Sequence, residues 1–543
     1  MNEQLEVARP DADTPLSSAR LDGRPAVGGD YNLLPYPSMP LAHTQPAHLA
    51  ALGTLFGGSP PAVERARVLE LGCAGGGNII PLAARFPRAS FTGVDLSSRH
   101  IDDGRARVAE LGLANVELLR ADLTTLELAE RQFDYVICHG VFSWVPKSTQ
   151  DAILRLCRQT LAPNGMATIS YNVLPGWHLR MAIRDLCLRY AGTEGTPLRR
   201  VARARAALEH IAATTDETEP YGLLLRTEAR RLKQVPASYI LGEFLAPDNA
   251  PCYVKDFIGR AEQADLDYLC EVDLSAAVPH TLEPELRNRI TAFTATNRPD
   301  LEQDIDFLTG RLFRRSVLMR RQPADHPRTG PRSSQLQALH IASQVRLDAT
   351  RSSDGLSVFT DNRGRPISVR EPAIRQAIEG LEQAYPGTLS LHDLTACAGY
   401  PPDSDIAARI REVIFAMVLA GRASVSAIPL VVGSADDERP SVGQLARIEA
   451  ASGQPWLTSL SHVGVPVQPI LRMLLPHLDG THDRSALRER LASALLSRIV
   501  QVPELPADQA SPSPEQLAGV TGHYVDLSLQ FLARHGLLEP HGP

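Results

Sequence analysis

The sequence contains no C-x-x-C pair, no basic-then-apolar leader, no strong charge of either sign, and no run approaching the ~20 apolar residues of a membrane span. Each absence removes a class of protein. The seven cysteines, Cys73, Cys138, Cys157, Cys187, Cys252, Cys270 and Cys397, are scattered, mostly inside apolar patterns. They read as buried thiols in a reducing compartment rather than as bridges or zinc ligands, so no metal is expected. Without a leader or a span, the expectation is a soluble, cytoplasmic protein with no membrane insertion. A net charge of −7 gives no overall sign of a nucleic-acid binder. What remains is globular in composition, 43% hydrophobic and 22% charged. At 543 residues the chain calls for two or three domains.

One stretch organises the rest. Val68-Leu69-Glu70-Leu71 is a short apolar run, Gly72-Cys73-Ala74-Gly75-Gly76-Gly77-Asn78 a glycine turn, and Ile79 to Phe86 a helical pattern. Glycines let the backbone turn sharply and let a ligand come close. The helix that follows offers free N–H groups at its positive end. Two cofactor classes fit. A dinucleotide places its pyrophosphate there, and Gly72-x-Ala74-x-x-Gly77 matches its fingerprint imperfectly. S-adenosylmethionine (SAM) places its amino-acid end there and favours an acid just before the first glycine, where Glu70 stands.

Around this turn the chain divides by pattern. Residues 1–30 are polar and read as a mobile tail. Residues 31–66 form a lid-like preamble: an aromatic, proline-rich stretch from Tyr31 to Pro40, then a helix with Thr44 as its expected cap and Gly57-Gly58 as its end. Over 67–194, strands at Val68–Leu71, Phe91–Asp95, Val116–Leu119, Phe133–Cys138 and Ala167–Tyr171 alternate with amphipathic helices. Such alternation implies a parallel sheet covered on both faces. Residues 195–322 hold a helical insertion and two late strands, Tyr268–Val272 and Phe313–Met319. Prolines at 323, 327 and 331 mark a linker over 323–334. Residues 335–543 read as a separate domain of two winged-helix-like halves. The basic run Arg311, Arg314, Arg315, Arg320 and Arg321 reads as a solvated face or an interdomain contact.

Ligands of such sheets sit beyond the carboxyl ends of the strands. A SAM site needs backbone N–H groups and an acid for the amino-acid end, here Gly72, Cys73, Ala74, Gly76 and Asn78 with Glu70. It needs a carboxylate for the ribose diol, and Asp95, beside Leu96, lies ~20 residues beyond the glycines. It needs an acceptor for the adenine amine, and Asp122, beside Leu123, is placed for that. Asp95 and Asp122 also suit helix or loop caps. His139 opens the segment after the fourth strand, facing the reactive methyl, and belongs to both the cofactor and the acceptor side. Tyr31, Tyr36, His139, Trp144, Tyr171, Asn172 and Trp177 are the residues that build an acceptor pocket.

Here the chain resembles a known class. Glu70-Leu71-Gly72-Cys73-Ala74-Gly75-Gly76, Gly93-Val94-Asp95-Leu96-Ser97, Phe133-Asp134-Tyr135-Val136 and Leu161-Ala162-Pro163-Asn164-Gly165 match, in order, the signature blocks of class I SAM-dependent methyltransferases. Ala74 replaces the usual middle glycine. Tyr31 to Pro40, His139 to Pro146, Ser170 to Trp177 and Phe313 to Leu318 resemble a narrower group. These are methyltransferases with a regulatory domain, similar to the protein-lysine methyltransferases that modify rickettsial outer-membrane proteins. The resemblance implies an α/β fold: a Rossmann-like methyltransferase sheet with a helical insertion, plus a C-terminal α+β winged-helix-like domain. It also implies SAM as cofactor, lysine side chains of a protein as acceptor, and a homodimer. The rival readings are a small-molecule or natural-product methyltransferase, and a SAM-sensing regulator whose C-terminal domain binds DNA, although nucleic acid is not the expected partner.

Overall fold

The computed structural model describes residues 38–128, 131–276, 298–321, 330–505 and 512–540. Tyr31, Tyr36 and most of the expected linker lie outside them.

Seven strands form one sheet: β1 (Arg67–Leu71), β2 (Ser90–Asp95), β3 (Val116–Arg120), β4 (Phe133–Cys138), β5 (Leu161–Asn172), β6 (Leu266–Glu271) and β7 (Phe313–Arg320), in the order β3-β2-β1-β4-β5-β7-β6. The first five run parallel, and β7 is antiparallel to both β5 and β6. The mixed edge matters for function. An antiparallel β7 starts where β5 ends, so Phe313 pairs with Asn172 and is added to the carboxyl edge of the sheet.

Alternation along the strands sorts side chains onto two cores. Val68, Tyr135 and Ile137 join one cluster with α1 (Pro46–Leu55), α2 (Ile79–Arg85) and α3 (Ser98–Glu110). Leu69, Leu71 and Val136 join the other with α4 (Lys147–Thr160) and, later in the chain, Val254–Gln263. Glu70 falls between Leu69 and Leu71. It therefore shares the α1–α2 face with Val68, and it is 4% exposed.

The insertion is helical: α5 (Gly176–Ala191), α6 (Pro197–Thr214), α7 (Pro220–Gln234) and α8 (Ala237–Phe244) pack around Ile183, Leu208, Leu225 and Phe244. Helices α9 (Val254–Gln263) and α10 (Arg298–Thr309) flank the last two strands. Leu179 and Tyr190 of α5 are exposed. Beyond residue 330 there are two cores. One includes Leu336, Ile341, Ile378, Ile410 and Met417 and is continuous with the α1 face of the sheet. The other is a separate cluster from Val442 to Leu538. It is built on α14 (Gln444–Ala451), α15 (Pro469–Leu474), α16 (Arg484–Leu496) and α17 (Pro514–Arg534), numbered after α11 (Pro372–Ala384), α12 (Leu391–Cys397) and α13 (Asp405–Leu419) of the first core. Between α14 and α15 lies a two-stranded hairpin, Trp456–Thr458 with Gly464–Pro466.

Several expectations need correction. Thr44 does not cap α1; its hydroxyl donates toward the Leu41 carbonyl and Asn78, and Gln45 is the N-cap. Cys397 is exposed and Cys252 half-buried, while the other five thiols are buried. Apart from Arg321, which is exposed, the basic run is not a solvated face. Arg314 is 1% exposed and sits among the carboxylates of Glu271, Glu302 and Asp306 at 2.8–3.0 Å. Arg311 pairs with Asp306, and Arg320 donates to the Leu161 carbonyl.

Candidate active site

The strand ends bring Glu70, Asp95, Asp122, His139, Asn172 and Phe313 to one edge of the sheet. The turn after β1 is held from below, since the N–H groups of Gly72 and Cys73 both donate to the Val94 carbonyl, at 2.8 and 3.0 Å. Gly72 has φ 76°, and a Cβ there would lie 2.3 Å from a Val141 methyl. Only glycine meets both demands. Ala74 adopts φ 47°, a left-handed conformation that costs a residue with a Cβ about 1 kcal/mol. Its N–H donates to Asp95 Oδ2 at 2.9 Å, which helps hold it there.

Asp95 takes a second backbone N–H, from Ser97, on Oδ1 at 2.9 Å. The cap of α3 is Ser97, whose hydroxyl accepts from the His100 N–H. Asp95 is therefore not the cap. A carboxylate has about four lone-pair sites, so Asp95 keeps room for further donors. Asp122 is exposed, and its Oδ1 closes a turn with the N–H and hydroxyl of Thr124, both at 2.8 Å. Leu96 is 44% exposed beside Asp95, and Leu123 is buried beside Asp122. Cys73 is buried, and a Cβ on Gly93 would lie 2.8 Å from its sulfur.

Glu70 is the decisive group. Its Oε1 accepts from Asn78 Nδ2 at 2.9 Å, whereas its Oε2 is buried with no partner among the described residues. Burial raises its carboxyl to about 8; the Asn78 hydrogen bond opposes this and Asp95 adds to it. An unpartnered buried carboxylate oxygen costs free energy until a donor reaches it. The ammonium of an amino acid supplies both the donor and the compensating charge. A pyrophosphate supplies neither a donor nor a compensating positive charge. The residues present thus fit the amino-acid end of SAM and not a dinucleotide.

Asn78 is fixed by what surrounds it. Its Oδ1 accepts from the Leu41 N–H at 3.0 Å, Thr44 Oγ1 at 3.1 Å and His462 Nε2 at 2.8 Å. These donors identify the oxygen and leave Nδ2 for Glu70. Ser38 closes the turn from above. Its Oγ accepts the Gly77 N–H at 2.7 Å, and a Cβ on Gly77 would lie 2.1 Å from its carbonyl oxygen.

On the acceptor side, His139 Nδ1 lies 3.2 Å from His43 Nε2, and His43 Nδ1 lies 3.3 Å from Arg315 Nη1. A guanidinium only donates. His43 Nδ1 is therefore a lone pair, its Nε2 carries the proton, and His139 accepts on Nδ1. Neutral His139 must then carry its own proton on Nε2. Burial and then Arg315 hold His139 down to about 4, and burial with the His139 and Arg315 neighbours pushes His43 well below the ordinary range. Both rings are neutral at pH 7, so His139 presents an N–H donor rather than a base.

Trp144 is half-buried and meets Trp177 edge to face with centroids 5.8 Å apart, but Trp177 is 1% exposed with Arg180 over its ring, so it belongs to the core and not to the pocket wall. Asn172 is buried. Its backbone N–H donates to Ser143 Oγ at 2.8 Å, and its Nδ2 donates to Asn249 Oδ1 at 3.1 Å. Tyr171 is a correction. It is 1% exposed, stacks on Phe257 with centroids 3.9 Å apart, and gives its hydroxyl to Ser316 at 2.8 Å. It belongs to the core, not to the pocket wall, because residues 171 and 172 face opposite sides of β5. Reading by spacing missed Ser38, His43, Asn249, Arg315 and His462. Each comes from a segment distant in sequence; Ser38 and Arg315 fall inside the quoted stretches Tyr31 to Pro40 and Phe313 to Leu318, and His43, Asn249 and His462 in no motif.

Comparison with known proteins agrees with this geometry. Residues 68–165 match a methyltransferase domain, 236–320 a predicted methyltransferase regulatory domain, and 438–537 the family described as PKMT, C-terminal winged helix domain. The uncharacterised protein RP789 of Rickettsia prowazekii is 30% identical over 480 residues, 85% of each chain. A second uncharacterised protein of that organism, RP028, is 36% identical over 234 residues, covering 43% of this chain and 94% of its own. The solved structure of PKMT2 from Rickettsia typhi superposes with TM-score 0.83 at 25% identity, covering 93% of this chain and all of that one. The same protein solved in complex with AdoHcy gives 0.82 at 26% identity.

Fold and site together define a class I SAM-dependent methyltransferase, with SAM as its cofactor. Within that class the chain belongs to the family of RP789, resembling the rickettsial PKMT proteins.

Proposed function

We propose that this enzyme methylates the side-chain amine of lysines in a protein. The observation that carries the reading is the match to PKMT2 over 93% of the chain, including the regulatory and winged-helix regions and not only the catalytic sheet. In this reading Glu70, oriented by Asn78, holds the ammonium of SAM, and the turn of Gly72, Cys73, Ala74 and Gly76 cradles its amino-acid end. Asp95 accepts from the ribose, Leu96 and Leu123 flank the adenine, and Asp122 accepts from its amine. The assigned units are the preamble to residue 66, the catalytic core over 67–194, the insertion and last strands over 195–322, and the region beyond the 323–334 linker. The enzyme acts in the cytoplasm as a homodimer, which light scattering on the full chain reads directly.

Bound SAM supplies a methyl group on a positively charged sulfonium, open to in-line displacement by an amine. The chain's own contribution is positioning and desolvation. Half-buried Trp144, backed by Trp177, offers an aromatic face suited to an alkylammonium. The side chain of Asn172, oriented by Asn249, supplies an amide to the amine. His139 offers only Nε2–H, so it takes no proton from the incoming lysine. Arg315 and the buried surroundings instead favour entry of the amine in its neutral form.

No described helix is long and apolar enough to cross a membrane. The rival reading of a DNA-binding C-terminal domain is less supported, because the tip of its hairpin is already seated on the catalytic core. Transfer from radiolabelled SAM, compared between a protein fraction and a protein-free metabolite extract, tests the proposal. Label confined to the metabolite fraction would replace it with the small-molecule reading.

A further inference from the structure

The second core beyond residue 438 sends one element into the catalytic sheet. The hairpin β8 (Trp456–Thr458) and β9 (Gly464–Pro466) closes over residues 459–463. The closure is tight: Val463 N–H donates to Ser459 Oγ at 3.1 Å, Ser459 N–H to the Val463 carbonyl at 3.0 Å, and His462 N–H to the Ser459 carbonyl at 2.8 Å. His462 takes φ 60° at the tip and is 2% exposed. Three groups clamp this tip onto the core. Arg85 of α2 donates to the Leu460 carbonyl, Gln45 Nε2 donates to the Ser461 carbonyl at 2.9 Å, and Arg107 of α3 pairs with buried Glu449 of α14.

The tip ends on Asn78. The Thr44 hydroxyl has one proton to share between the Leu41 carbonyl and Asn78 Oδ1. The two lone pairs of Asn78 Oδ1 are therefore filled by the Leu41 N–H and by His462 Nε2, the shorter contact at 2.8 Å. Burial and the nearby Arg85 hold the His462 imidazole down to about 3, so it is neutral and brings no charge toward an incoming ammonium.

We propose that His462 is a positioning residue of the cofactor site: the C-terminal hairpin reaches through it to fix the Asn78 amide, and Asn78 in turn aims Glu70 at the amino-acid end of SAM. The C-terminal domain thereby completes the site it sits on. This rests on the assignment of Glu70, oriented by Asn78, to the ammonium of SAM.

The test compares full-length His462→Phe, which keeps a ring and loses the donor, with His462→Gln, whose Nε2 restores it. Both carry the same backbone cost at φ 60°, so that cost cancels. Calorimetry measures binding of SAM and of methylthioadenosine, which retains the adenosine and lacks the amino acid. The expected result is a loss of about tenfold in SAM affinity for His462→Phe, recovery to within about threefold for His462→Gln, and methylthioadenosine binding unchanged in both. Wild-type SAM affinity in His462→Phe overturns the proposal, as does an equal loss of both ligands. Should His462→Phe show no cooperative unfolding, Arg85→Leu, which releases the tip from α2, carries the same expectation and the same refutation. Glu70→Gln measured alongside separates the premises. If it weakens SAM and the hairpin variants do not, the inference fails alone; if it changes nothing, the assignment of the ammonium site fails with it.

Discussion

Glu70 makes SAM binding a proton-linked event. Its carboxyl is raised from the ordinary 4.5 to about 8, first by burial, then by Asp95, against the Asn78 hydrogen bond. At pH 7 without cofactor it is therefore mostly protonated. An ammonium placed against Oε2 favours the ionised form, so one proton leaves when SAM binds. Affinity should then rise about tenfold from pH 6 to pH 7 and continue upward until the cofactor's own amino group begins to titrate near 8. Glu70→Gln copies the protonated side chain and should bind about tenfold more weakly than wild type at pH 7.5, with no slope between pH 6 and 7. Stability follows the opposite sign. A raised carboxyl contributes fully below 4.5, and its contribution is lost as pH rises through 8. The span from 4.5 to about 8 is worth on the order of 5 kcal/mol, an upper limit for a group that can relax. Cofactor-free wild type should thus lose melting temperature between pH 5 and 8 relative to Glu70→Gln. Calorimetry at pH 7 in two buffers of different ionisation heat reads the proton directly. A release near one for wild type and near zero for Glu70→Gln is expected. No release from wild type would refute the placement of the ammonium at Glu70.

Three further predictions follow from the geometry. Gly77→Ala places a Cβ 2.1 Å from the Ser38 carbonyl, so the preamble must lift; SAM affinity should fall at least about tenfold while the apo melting temperature moves little, as read by calorimetry and thermal scanning. Arg314→Met leaves Glu271, Glu302 and Asp306 buried without their cation and should cost about 3–5 kcal/mol in denaturant unfolding. His43→Phe removes the donor to His139 Nδ1 and frees His139 to adopt either tautomer. Nitrogen NMR of the imidazoles should show His139 protonated on Nε2 in wild type and a mixture in the variant, and a wild-type signal from Nδ1–H would contradict the relay from Arg315.

The catalytic sheet was legible because most of its strands carry short apolar runs between helical patterns; β5 alone begins well ahead of its expected run, at Leu161 rather than Ala167. The cofactor cradle was legible for a different reason. Glu70, Gly72 and Asp95 sit at strand ends, and strand ends are marked by local composition. The sides of the site were not. His462 is 384 residues from Asn78, Arg315 is 272 from His43, and Asn249 is 77 from Asn172. No local spacing encodes such pairs. Arg314 misled for a related reason. Two adjacent arginines look like a solvated run, but on a strand they face opposite ways, one to buried carboxylates and one to His43. Tyr171 and Asn172 divide in the same manner, and only the second reaches the pocket edge.

The most direct measurement of the central claim is tandem mass spectrometry of a candidate surface protein incubated with this enzyme and SAM carrying a deuterated methyl group. The account predicts deuterated methyl on lysine side-chain nitrogens, absent with Asp95→Ala. Deuterated methyl on oxygen, or on small molecules with every lysine unmodified, would contradict it.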